Sequence, residues 1–153
     1  LQQMIEAYEQ TGGNMVAAME VPPQKAGSYG ILDIKEDMGS IVKVKGMVEK
    51  PKREEAPSNL AVIGRYILTP KVMTNLNKMK HGAGGEVQLT DAIAEETKAG
   101  KVFGFRFRGQ RYDCGSKAGF LQATVAFGLS RSDLREEFSA YLNDMIALQK
   151  AAQ

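Results

Sequence analysis

Glu49-Lys50-Pro51 sets a carboxylate beside an ammonium at the end of an apolar, strand-like run. A carboxylate accepts hydrogen bonds from two hydroxyls and an ammonium meets a phosphate, so the pair suits a phosphorylated sugar. Neighbouring residues of a flat strand point to opposite faces, which separates the two side chains. Pro51 is expected to end the strand and hold Lys50 extended, with twist at the strand end turning both groups toward one cleft. The same residues also read as solvated charges guarding a strand end.

A second candidate lies in Leu60–Leu68. With a period of two, Val62, Gly64 and Tyr66 share one face, and Ala61, Ile63, Arg65 and Ile67 the other. A glycine between a small apolar residue and a tyrosine leaves a notch with a stacking wall, which sugars use; a bulge is the competing reading. Tyr29-Gly30 could bring a backbone amide close to a ligand, or make a plain turn. Gly84-Gly85-Glu86 precedes a helical pattern but lacks both the P-loop ending and the dinucleotide fingerprint, so it reads as a linker. Asp113, just ahead of another helical run, could cap that helix or hold magnesium near a phosphate. Cys114 has no neighbouring base and is expected to be a buried structural thiol.

The elements that must position these residues follow from periodicity. Leu1, Met4, Ile5 and Tyr8 fall at helical spacing, ended by Gly12-Gly13, and this opening does not read as a secretory leader. Strands are expected at 14–21, 29–34, 41–49, 60–68 and 102–107, with a hairpin turn at 35–40 and a polar loop at 51–59. Helices are expected at 71–79, with Thr69 as N-cap and Pro70 at the first position, and at 88–98 before Gly100. His81 to Gly85 is too glycine-rich for regular structure. A helix at 117–129 and a final helix capped by Ser132 complete the chain, the latter striped with Leu134, Phe138, Tyr141, Leu142, Met145 and Leu148. Alternating strands and helices give an α/β layered fold with a mixed sheet.

Composition narrows the function classes. The 153 residues fit one domain with a sizeable core, at 43% hydrophobic and 25% charged. A net charge of +2 with dispersed basic residues gives no footprint for nucleic acid. No apolar run approaches the roughly 20 residues that span a bilayer. One cysteine excludes an internal disulfide and fits a reducing cytoplasm. A lone His81 cannot by itself build a histidine zinc site or a catalytic triad, so any metal chemistry is expected to use carboxylates and magnesium.

Several segments together resemble one family. They are Tyr29-Gly30-Ile31, Val48-Glu49-Lys50-Pro51-Lys52, the stretch from Ala56 to Tyr66, Gly82 to Ile93, and Arg111-Tyr112-Asp113-Cys114-Gly115. In this order and spacing the chain resembles bacterial UTP–glucose-1-phosphate uridylyltransferases over nearly its whole length. Related thymidylyl and ADP-glucose enzymes share the Glu-Lys-Pro element but typically carry a tryptophan-containing segment where Tyr112 to Gly115 stands here. The resemblance implies the C-terminal portion of a Rossmann-like nucleotidyltransferase fold with a helical extension, divided as 1–129 and 130–153. It implies that Gly30 contacts the sugar through its backbone, Glu49 bonds glucose hydroxyls and Lys50, as the catalytic residue, bonds the phosphate. Val62 and Tyr66 would flank the glucose, and Asp113 would help place Mg2+.

The implied reaction transfers UMP from UTP to glucose 1-phosphate, giving UDP-glucose and pyrophosphate, in a cytoplasmic homodimer or homotetramer. The family's Gly-x-Gly-Thr-Arg nucleotide loop and main metal Asp are not in this chain, so the chain alone is expected to be inactive, with sheet edges uncovered. Thymidylyl transfer and a non-catalytic sugar-phosphate-binding or assembly module are the alternatives. Ser116, where relatives often carry Asp or Asn, puts capping of the following helix in doubt.

Overall fold

The computed structural model describes residues 1–78 and 87–152, which form two compact units, Leu1–Arg108 and Gly109–Gln153. The glycine-rich stretch 82–86 and His81 lie outside the described residues. In the first unit α1 (Gln2–Thr11) leads into β1 (Asn14–Glu20), β2 (Gly30–Met38), β3 (Ile41–Glu49) and β4 (Leu60–Ile67). Then come α2 (Pro70–Lys78), α3 (Leu89–Thr97) and β5 (Val102–Arg106). Short 3-10 turns occupy Pro23–Ser28 and Arg53–Glu55.

The sheet runs β1-β4-β2-β3-β5, and β5 pairs back to β1. Only β1 and β5 are parallel, so the sheet is mixed, as expected. Closure gives each of these strands two hydrogen-bonded neighbours, which corrects the expectation of uncovered sheet edges.

β1 carries an almost unbroken apolar run because both of its faces are covered. Met15 and Ala17 pack with Met4 and Ala7 of α1 and with Phe105. Val16 and Ala18 point the other way, into a cluster with Val72 of α2, Ala92 and Ile93 of α3, and Leu32, Val42, Leu60 and Val62. Helices on both sides of one mixed sheet make this an α/β unit.

The expected turn is shorter: β2 continues to Met38, into the range 35–40, and only Gly39 and Ser40 link it to β3. The longer ladder is pinned at its tip: Asp37 Oδ1 accepts from Gly39 N–H at 3.0 Å, and Arg106 donates to both Asp37 oxygens and to Gly39 O. Thr69 precedes the first residue of α2, where the cap is expected, and its hydroxyl donates to Asn14 Oδ1 at 3.1 Å, which also ties α2 to β1.

The second unit holds α4 (Lys117–Ser130) and α5 (Arg135–Ala151). Ser132 does not cap the last helix. Arg131 pairs with Asp133 at 2.6 Å, residues 132–134 form a turn, and α5 starts after Leu134. No residue of α5 is buried, although its apolar stripe is present.

Candidate functional site

The end of β3 carries the acid and the ammonium. Gly30, at the start of β2, sits opposite Glu49 in the β2–β3 register. A methyl group built on Gly30 would lie 2.9 Å from Glu49 Oε2, 3.5 Å from Thr90 Cγ2 and 3.8 Å from Val62 Cγ2. Three side chains from three other elements therefore surround one bare backbone carbon. Any larger residue at position 30 displaces the Glu49 carboxylate, because 2.9 Å is too close for a methyl group. Gly30 is needed here for space; its φ is not in the left-handed region.

Lys50 is not extended, contrary to the expectation drawn from Pro51. Its φ is +44°, and it is the one non-glycine residue with positive φ among the described residues. The turn is held from behind by Lys50 N–H donating to Tyr29 O at 3.0 Å. The local reversal brings Lys50 Nζ to 3.9 Å from Glu49 Oε1, so the two charges share one side. Strand twist was the expected device; a left-handed residue is the one used. Both side chains keep solvent access, at 66% for Lys50 and 36% for Glu49, and so remain open to a ligand.

Val62 and Tyr66 are brought together, but not by simple alternation. Ala18 pairs with Val62 and Val16 with Tyr66, so two β1 steps face four β4 steps. The excess is a bulge at Gly64, whose φ of +73° only glycine adopts without strain. Gly64 therefore shapes the strand, and Val62 and Tyr66 still join the same core cluster. Burial raises the pKa of the Tyr66 phenol, and the negative charge of Glu49 adds to the rise. The phenol is thus within electrostatic reach of the carboxylate.

Thr90 was missed as a site residue. It lies inside a motif that carries the resemblance, but nothing in the sequence places it against Gly30, sixty positions away. Its Oγ1 is buried and has no hydrogen-bond partner.

Asp113 belongs to the second unit. Its Oδ1 accepts from Gly115 N–H at 3.2 Å, while Ser116 is the N-cap of α4, accepting from Gly119 N–H at 3.0 Å. Ser116 thus caps the helix well, which removes the doubt attached to it and corrects the reading of Asp113 as the cap. Cys114 is exposed, not buried, because it sits in the turn before α4. Among the described residues no three His, Cys, Asp or Glu side chains group as a metal site, and no helix is long and apolar enough to cross a membrane.

An α/β unit with a carboxylate, an ammonium and a bare glycine at one strand end can hold a ligand bearing hydroxyls and a phosphate. The nucleotidyl transferase family model matches residues 1–128, and the chain belongs to that family. The compact units divide after Arg108, within the stretch that the family model matches. A UTP–glucose-1-phosphate uridylyltransferase of Komagataeibacter xylinus is 55% identical over 115 residues, covering 75% of this chain and 40% of that protein. UTP–glucose-1-phosphate uridylyltransferase 2 of Staphylococcus saprophyticus is 41% identical over 145 residues, covering 95% and 50%. A solved structure of UDP-glucose pyrophosphorylase complexed with UDP-glucose superposes with a TM-score of 0.77 at 40% identity, over 85% of this chain and 49% of that one. The chain spans about half the length of the curated relatives it matches.

Proposed function

We propose that this chain forms the acceptor half of a UTP–glucose-1-phosphate uridylyltransferase, holding glucose 1-phosphate for attack on UTP. The observation that carries the reading is the left-handed turn at Lys50, which sets its ammonium 3.9 Å from Glu49 beside the bare backbone of Gly30. The curated relatives, named for that reaction, support it.

In this reading Glu49 accepts from glucose hydroxyls, Gly30 admits the ring against its backbone, and Val62 and Tyr66 flank it. Lys50 pairs with the sugar phosphate and neutralises its charge as one phosphate oxygen attacks the α-phosphorus of UTP in line. The new P–O bond forms as the bond to pyrophosphate breaks, with no covalent enzyme intermediate. Catalysis is then positioning plus charge neutralisation. The residues that bind the nucleotide belong to the half of the family fold that this chain does not span.

Magnesium, when bound, would lower the charge on the reacting phosphates. Asp113, an exposed carboxylate whose Oδ1 accepts from Gly115 N–H, is the residue we propose as one of its ligands. We further place the protein in the cytoplasm, on the strength of its single exposed thiol, as a homodimer or homotetramer.

Lys50→Ala in the enzyme containing this chain is expected to lower turnover at least about tenfold, or 1.4 kcal/mol in the barrier. Steady-state assay of UDP-glucose formation checks this. Near-normal turnover overturns the assignment.

A further inference from the structure

We propose that Thr90 is a further specificity-determining residue of the acceptor site, its hydroxyl bonding a sugar hydroxyl that Glu49 also holds. The inference rests on the acceptor-site reading above. Thr90 is the second residue of α3, and its methyl group faces the same bare carbon of Gly30 that Glu49 and Val62 enclose.

Threonines in the helices of this chain return their hydroxyls to an earlier carbonyl. Thr11 donates to Ala7 O at 3.2 Å, Thr74 to Pro70 O at 3.3 Å and Thr124 to Phe120 O at 2.9 Å. Thr90 lies too near the start of α3 for that helix to offer such a carbonyl. Its Oγ1 is the one buried side-chain polar atom without a partner among the described residues. A buried hydroxyl without a partner is unfavourable, and valine would fill the same volume without that penalty. No group among the described residues therefore explains the hydroxyl.

A rotation about Cα–Cβ supplies an explanation. Threonine in a helix divides between two χ1 wells, and the rotation that carries Oγ1 into the place of the methyl group, the methyl moving on to the third position, brings Oγ1 toward Gly30 and Glu49. A carboxylate can only accept, whereas a threonine hydroxyl can donate. Together they address one sugar hydroxyl as both donor and acceptor, which neither does alone. The pair selects a ligand with a hydroxyl at that ring position over the deoxy analogue.

The test uses Thr90→Val in the enzyme containing this chain. The expected result is a KM for glucose 1-phosphate raised about tenfold, a UTP KM within about twofold of wild type, and a melting temperature unchanged or higher. Thr90→Ser, which restores the hydroxyl, should recover most of the lost affinity. Among monodeoxy glucose 1-phosphates, one analogue should lose to Thr90→Val the disadvantage it shows with wild type. An unchanged KM in the valine variant overturns the proposal, as does a raised KM that Thr90→Ser fails to recover. Glu49→Gln and Lys50→Ala run in parallel separate the two claims. If both impair the reaction while Thr90→Val leaves the glucose 1-phosphate KM unchanged, only the role of Thr90 falls; if none of the three variants has an effect, the acceptor-site reading falls with it.

Discussion

A left-handed residue directly before a proline is sterically opposed twice, by its own Cβ and by the proline ring. Lys50 adopts that conformation at the point where a carboxylate and an ammonium must face the same way. Strain of this kind persists only where the surroundings impose it, here through the Tyr29 carbonyl. Lys50→Gly should keep the turn and lose the charge. Its thermal stability is expected to be unchanged or raised by up to about 1 kcal/mol, while turnover of the complete enzyme falls as for alanine. A large drop in melting temperature would show that the lysine side chain, not the backbone turn, holds the strand end. At this scale the charged pair was legible from its residue types. The means of aligning the pair was not, since a following proline argues for extended backbone.

Among the elements, the junction of β1, β5 and α2 hangs on one buried side chain. Asn14 is fully buried, accepting from Thr69 N–H at 2.7 Å and its hydroxyl at 3.1 Å, and donating to Lys101 O at 3.3 Å. Asn14→Ala strands these partners and should cost about 1–3 kcal/mol, measured by thermal or urea unfolding. An unchanged midpoint would mean that water serves them equally well. The β2–β3 tip depends on Arg106 instead. Its guanidinium, with the Gly39 N–H, holds the Asp37 carboxyl below its ordinary pKa. A lowered folded-state pKa adds stability that is present above about pH 4 and lost as pH falls through the folded value. Amide protection at the hairpin tip, taken relative to the intrinsic exchange rate at each pH, should therefore fall in acid, and Asp37→Asn should abolish that step. Protection that stays constant between neutral and acid pH would contradict it. The five strands were legible because β-branched and aromatic runs are broken by glycine and proline. Closure of the sheet was not, because the β1–β5 and β3–β5 pairings join segments far apart in sequence.

For the whole molecule, the described residues leave apolar surface open in the second unit. Tyr141, Ile146 and Leu148 of α5 are 56%, 52% and 66% exposed, a density of apolar surface that favours association. The chain in solution should scatter light with the mass of two copies or more, and Ile146→Glu with Leu148→Glu should shift it toward one. A strictly monomeric wild-type chain at high concentration contradicts this. The stripe was legible from helical spacing, while its exposure was not, since periodicity marks an apolar face without saying what covers it. The central claim, that this chain holds the sugar phosphate, is tested most directly by titrating the labelled chain with glucose 1-phosphate while recording amide NMR spectra. Saturable shifts centred on Gly30, Glu49, Lys50, Val62 and Tyr66 are the predicted result. Shifts confined to other positions, or none at saturating ligand, would contradict it.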